Sequence, residues 1–267
     1  MDKGKNMDKK FDLDGKTAVI TGGTKGIGLG IARALAGGGA ETVIIGRDSE
    51  SGKNALSGIR DISDKKSGFY ICDVGVYDQV RKTCDRILEE FKKVDILVCN
   101  AGWTIKAPLE TMDIKIWDKS VAVNLNGVFY FIRCLINQML ENKYGNIIIV
   151  GSSVTYNGGG GGLHYPAAKA ALSGIVKGLS YEFLGRGIRA NLIAPALIDT
   201  PMLRDRYPDD KETNEMLKAQ IPLGRIGTPE DMGNLALFLA SDESEYIVGQ
   251  EILADGGRIQ YKHPRGS

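Results

Sequence analysis

The stretch TAVITGGTKGIGLGIARALAGGGAETVIIG, residues 17–46, decides how the rest of the chain is read. It opens with a short apolar, β-rich run, TAVIT (17–21), and passes through a glycine-rich turn. Helical spacing of apolar residues follows over 27–37, then a second apolar run, TVIIG (42–46). This is the order of a strand, a crossover helix and a parallel strand. Gly22, Gly26 and Gly28 fall in the turn, where glycine allows positive φ and close backbone approach. The free N–H groups of the following helix can then receive a pyrophosphate. The competing reading is a strand-to-helix turn that binds nothing.

The alternation continues outward. GFYIC (68–72), DILVC (95–99), NIIIV (146–150), RANLI (189–193) and EILAD (251–255) bring the strands to seven, with helical spacing over 49–62, 77–92, 113–141, 164–185 and 229–240. Strands this apolar throughout are buried on both sheet faces. The expectation is an α/β fold, a doubly wound, Rossmann-type, seven-stranded parallel sheet with helices on both faces. A single domain over 13–260 would carry it, between tails at 1–12 and 261–267. Region 196–225 breaks the rhythm, being rich in charge and holding Pro201, Pro208 and Pro222 just after Pro195, and is read as a lid. GGGGG (158–162) is the one low-complexity stretch, expected to form a flexible rim.

Composition narrows the partners. With 34 Lys+Arg against 33 Asp+Glu, no global field exists to hold nucleic acid or an anionic membrane. Cys72, Cys84, Cys99 and Cys134 form no CxxC pair and have no histidine cluster beside them, which reads as free thiols in a reducing compartment and no metal site. The N-terminal MDKGKNMDKK has no apolar core for a signal peptide, and no uninterrupted apolar segment approaches the roughly 18 residues of a membrane span. A cytoplasmic protein with a small-molecule substrate is expected.

Tyr165 and Lys169 stand four residues apart in a helical segment, so their side chains share a face one turn apart. Free tyrosine titrates near 10, and a unit charge about 4 Å away at an effective dielectric of about 20 is worth about 4 kcal/mol, or roughly 3 pKa units. A lysine so placed is expected to bring the phenol toward neutrality and ready it for proton transfer.

These features, with others, resemble the short-chain dehydrogenases/reductases: TGGTKGIG (21–28), CDV (72–74), NAG (100–102), Asn124, Ser152, YPAAK (165–169) and GQEILADGG (249–257). The resemblance covers roughly residues 14–257 and implies a nicotinamide cofactor. It assigns Thr24 and Ile27 to the cofactor together with the glycines, Asp73 and Val74 to the adenine, and Asn100, Ala101 and Gly102 to the wall of the cleft. Pro195, Ile198 and Thr200 are assigned beside the nicotinamide, and Tyr165 and Lys169 also contact the cofactor. It makes Ser152 the holder of the substrate oxygen, thirteen residues before Tyr165, with Ser153 as its rival. It gives Asn124 a water-relay role toward Lys169, with Asn126 as the rival. It further implies a homotetramer. Ala196 departs from the family, which commonly has glycine after the proline at 195.

In dinucleotide enzymes the end of the second strand selects the cofactor, since a carboxylate there accepts from the ribose hydroxyls whereas a cation tolerates a 2′-phosphate. Here Gly46 is followed by Arg47, and Lys25 lies in the glycine turn, a pair that favours NADP. Asp48 is the competing acid and leaves NAD possible. Trp103 and His164, next to NAG and to Tyr165, are the candidate substrate contacts together with Ser152. The expected reaction interconverts a carbonyl and a secondary alcohol on a small ketone, sugar or polyol. Two alternatives stay open: reduction of 3-oxoacyl carrier-protein thioesters, although GLHYP lacks the Asn often found before the tyrosine, and a non-catalytic dinucleotide-binding regulator.

Overall fold

The computed structural model describes residues 11–259, so residues 1–10 and 260–267 of the expected tails lie outside the described residues. Seven strands, β1 (Thr17–Thr21), β2 (Glu41–Gly46), β3 (Ser67–Ile71), β4 (Ile96–Cys99), β5 (Gly145–Val150), β6 (Ile188–Pro195) and β7 (Glu251–Ala254), form one sheet in the order β3-β2-β1-β4-β5-β6-β7. Every pairing is parallel. The order reverses between β1 and β4, and a crevice opens at such a point because the loops after the two strands depart in opposite directions.

Period-two alternation sends neighbouring strand residues to opposite layers. Val19, Val43, Leu97, Ile147 and Leu192 face one layer, formed by α3 (Tyr77–Phe91), α5 (Gly127–Glu141) and α7 (His164–Phe183), through Ile87, Phe131 and Leu172. Ile20, Ile44, Val98, Ile148 and Ile193 face the other, formed by α1 (Gly26–Gly37), α2 (Ser49–Arg60) and α10 (Pro229–Ala240), through Ile31, Ile59 and Leu239. A sheet covered on both faces explains why its strands read as continuous apolar runs.

The segment expected as one helix over 113–141 is interrupted. It resolves into α4 (Ile114–Val121), a π-helical turn at Ala122–Asn126 and then α5. The Asn124 amide donates to the Ser120 carbonyl at 3.0 Å, the oxygen that an α-helix reserves for the backbone N–H of residue 124. The run Ile114–Glu141 is long and apolar enough by composition to cross a membrane, but the apolar face of α5 is spent on the sheet, with Phe131 and Leu135 fully buried.

Three short α-helices remain among the described residues: α6 (Val154–Asn157), α8 (Pro201–Arg204) and α9 (Lys211–Lys218). The last two lie within 196–225, the region expected as a lid. Thr200 and Asp210 cap them through Leu203 N and Thr213 N. The base of the segment is tied by Asp199 N to Gly227 O at 2.8 Å and Gly227 N to Leu197 O at 3.0 Å.

Candidate active site

The C-terminal strand ends open onto a cleft of about 510 Å³. At its first end the glycine turn leads into α1, whose N-terminus has no side-chain cap and no acidic residue in its first turn. The N–H groups there carry partial positive charge and face a ligand rather than a side chain. Gly22 holds φ +65°, and a Cβ there would stand 2.9 Å from Ala101 Cα. Asn100 fixes the turn from the neighbouring strand, its amide donating to Thr21 O at 3.0 Å and to Gly22 O at 3.1 Å. Thr21 Oγ1 accepts from the N–H groups of Asn100 and Ala101. The residues present therefore fit a dinucleotide: a bare backbone, an open helix N-terminus and two nearby cations.

Every residue expected at the cofactor lines this cleft except Gly28. Gly28 lies beneath the turn, where a Cβ would stand 2.2 Å from Gly22 O, so it serves packing rather than contact. Asp48, the competing acid, is committed to the helix it precedes, because its Oδ1 accepts from Ser51 N at 2.8 Å. Hydrogen bonding to Ser51, with a smaller contribution from Lys25, holds its carboxyl below the usual range. Asp73 Oδ1 accepts from Gly75 N, shaping the loop after β3.

At the other end Ser152, Tyr165 and Lys169 share the cleft wall. Lys169 is buried, its Nζ donating to Val150 O at 2.8 Å and standing 5.8 Å from the Tyr165 ring centre. Burial lowers it from its ordinary 10.5 to about 8. The expectation that Lys169 draws the phenol toward neutrality needs correction. Burial pushes Tyr165 up, and the groups that oppose it are the Ser152 hydroxyl and Arg206, a residue the sequence reading did not single out. The ammonium is aimed at a strand carbonyl instead of the phenol, which is why its influence is small. Ser153, the rival to Ser152, is held by its backbone, its N–H donating to Pro195 O.

Residues 22–258 match the family described as enoyl-(acyl carrier protein) reductase. The chain is 39% identical over 245 residues to 3-oxoacyl-(acyl-carrier-protein) reductase FabG of Chlamydia muridarum, covering 92% of this chain and 98% of that protein. It belongs to the short-chain dehydrogenases/reductases. It is also 36% identical over 252 residues to 2-dehydro-3-deoxy-D-gluconate 5-dehydrogenase of Pseudoalteromonas atlantica, covering 94% and 98% of the two chains. The crystal structure of a gluconate 5-dehydrogenase from Burkholderia cenocepacia, in complex with NADP and tartrate, superposes with a TM-score of 0.87 at 33% identity, covering 95% of this chain and 99% of that one. The protein is thus an oxidoreductase of the short-chain dehydrogenase/reductase family, acting between CH–OH and C=O.

Within this short-chain dehydrogenase/reductase, three expected site residues besides Gly28 stand apart from the cleft. The Asn124 side chain is wholly buried and committed to protein groups, donating to Trp103 O at 2.7 Å and accepting from Trp103 N at 3.0 Å. It clamps the loop after NAG to the π-helical turn, its NH2 spent on Trp103 O and Ser120 while Oδ1 accepts one bond. His164 is wholly buried, its Nε2 3.0 Å from Ile105 O, and Trp103 packs between its ring and Lys119. Neither Trp103 nor His164 lines the cleft. Position next to a motif gave no clue to side-chain direction here, since residue 164 points into the core while residue 165 borders the cleft.

The residues that do border the substrate end include Thr104, Gly160, Arg206 and Tyr207. The glycine run is not a loose rim. Gly160 O accepts from Thr104 Oγ1 and from Arg206 Nη2, each at 2.7 Å, and Gly161 O accepts from Ala107 N at 2.8 Å. A Cβ on Gly160 would stand 2.6 Å from Tyr165 Cδ1. Glycine is needed here for space beside the tyrosine.

Proposed function

We propose that this chain interconverts a small ketone, sugar or sugar acid and its secondary alcohol with NADP(H), using Tyr165 as the acid and base. The observation that carries the proposal is one cleft joining an uncapped helix N-terminus flanked by Lys25 and Arg47 to a buried Tyr165 beside Ser152. Neither cation is in an ion pair with a carboxylate among the described residues, which leaves both for a 2′-phosphate. The NADP named with the gluconate 5-dehydrogenase supports the same choice.

When bound, the nicotinamide supplies or accepts the hydride. The chain's own residues hold the substrate oxygen and manage its proton. Ser152 Oγ donates to that oxygen, fixing it against Tyr165, and the phenol gives its proton to the oxygen during reduction or takes it during oxidation. Lys169, tied to Val150 O, holds positive charge at this end of the cleft, and it would hold the ribose of a bound cofactor. Asn124 positions the wall that carries Gly102, where a Cβ would stand 3.2 Å from Asn124 Oδ1 and 3.7 Å from Lys169 Nζ.

Reduction of 3-oxoacyl thioesters is the second reading, supported by 39% identity to the carrier-protein reductase. A homotetramer in the cytoplasm completes the proposal. Its support is the apolar surface of α4 and α5, where Ile114 and Phe129 are 71% and 53% exposed. The test follows oxidation of NADPH and NADH at matched concentrations against diketones, ketoses, oxo acids, 3-oxoacyl thioesters and ketosteroids. Turnover of one class, faster with NADPH, is the expected outcome. Tight cofactor binding with no turnover across the panel would instead mark a regulatory dinucleotide-binding protein.

A further inference from the structure

Arg204 and Arg206 stand two residues apart at the end of α8, yet their surroundings differ. Arg204 is spent on its own segment: its Nε and Nη2 donate to the two oxygens of Asp199 at 2.7 and 2.8 Å, and its Nη1 donates to Asn214. Arg206 pairs with no carboxylate among the described residues. One nitrogen, Nη2, makes both of its hydrogen bonds, to Gly160 O at 2.7 Å and Thr104 Oγ1 at 3.1 Å. Those bonds set the plane of the guanidinium across the glycine run and leave Nε and Nη1 without a partner among the described residues. The group borders the cleft close enough to Tyr165 for its charge to act on the phenol.

The charged residues that line its end of the cleft have one sign. The only carboxylates lining the cleft among the described residues are Asp48 and Asp73, which follow β2 and β3 at the far edge of the sheet. The end that holds Ser152 and Tyr165 has Arg206 and Arg258 and no acid. With Nη2 committed, the free Nε–H and Nη1–H lie on different edges of the guanidinium, so a carboxylate takes a single charge-assisted bond from this group rather than a parallel pair.

We infer that Arg206 is a specificity-determining residue that grips the carboxylate of the substrate, so the preferred substrates are hydroxy and oxo acids rather than neutral ketones, polyols or thioesters. This rests on the oxidoreductase reading of the cleft proposed above and narrows it. The carboxylate seated on Arg206 would turn the rest of the acid toward Tyr165 and Ser152. Lysine at this position would keep the charge and lose the plane fixed by Gly160 and Thr104.

The experiment compares matched pairs that differ only in the anion: D-gluconate against D-glucitol in oxidation with NADP⁺, and acetoacetate against its methyl ester in reduction with NADPH. In the native protein kcat/KM should favour the acid in the pair that is turned over. In Arg206→Met the acid-to-neutral ratio should fall on the order of 30- to 100-fold, mostly through KM, with Arg206→Lys between the two. NADPH binding, followed by its fluorescence, reports that the variants are folded. Calorimetric titration of the same acid into the NADP⁺-loaded protein should weaken by a similar factor in Arg206→Met. A native preference for the neutral member, or an acid preference and acid affinity that survive in Arg206→Met, overturns the assignment and leaves the oxidoreductase reading standing. No turnover of any pair sinks the substrate reading instead, and calorimetry then decides Arg206 alone: unchanged or absent acid binding overturns it.

Discussion

The two ends of the cleft are built by different means. The cofactor end is backbone: a glycine turn between β1 and α1, held by Asn100 and Thr21 from the neighbouring strand, with side chains mostly excluded. The substrate end is side chain and long-range contact. Arg206, from the segment after β6, reaches across to Gly160 after β5 and Thr104 after β4. A backbone cradle can be recognised in a sequence because each glycine has a local reason to be there. A wall assembled from residues some fifty and a hundred positions apart has no local signature, and only the folded chain brings it together.

The largest expected effect separates the two ends outright. Replacing Tyr165 by Phe removes the proton donor and leaves the glycine turn untouched, so kcat should fall by about 10³-fold or more while the dissociation constant for NADPH stays within a few-fold. Stopped-flow or steady-state rates beside a fluorescence titration measure both. Loss of cofactor binding in the same variant would mean that the two ends are not independent and that Tyr165 holds the dinucleotide as much as it serves the substrate.

The same contrast explains what the sequence made legible. All seven strands were evident from TAVIT through EILAD, because a sheet covered on both faces demands unbroken apolar runs. The break in the helix over 113–141 was hidden, since Asn124 competes for a carbonyl through its side chain and no periodicity records that. At the site, Ser152, Tyr165 and Lys169 were marked by their spacing and do meet in the cleft, whereas His164 and Trp103 were marked only by adjacency and turn away from it. The electrostatic argument failed for an instructive reason. One helical turn brings Lys169 near Tyr165, but the ammonium bonds Val150 O, and burial raises the phenol.

A middle-sized effect tests the cofactor end alone. With Lys25 and Arg47 both changed to serine, affinity for NADPH should drop by roughly 10- to 100-fold, because two charge-assisted contacts to the 2′-phosphate are lost. Affinity for NADH should hold, and so should the ratio of acid to neutral substrate set at the far end. Equal losses for both cofactors, measured by titration, would place the two cations on the shared part of the dinucleotide and remove the argument for NADP.

The smallest effect asks whether the glycine run is needed for space or for flexibility. Gly158 and Gly160 both hold positive φ, +71° and +104°, but a Cβ at Gly158 meets nothing within 4 Å, whereas one at Gly160 lies 2.6 Å from Tyr165 Cδ1. Alanine at 158 therefore incurs only the left-handed backbone penalty, about 1–2 kcal/mol. Alanine at 160 adds a steric clash that the buried tyrosine must relieve by moving, for a total of about 2–3 kcal/mol. In a domain of this size each kcal/mol lowers Tm by roughly 2–4 °C, so scanning calorimetry should resolve the two variants. Turnover gives the sharper contrast. A displaced Tyr165 ring misaligns the phenol, so Gly160→Ala should lose kcat well beyond Gly158→Ala, with NADPH affinity unchanged in both. If the two variants behave alike, the run serves loop flexibility after all, and the close packing of Gly160 on Tyr165 has no functional weight.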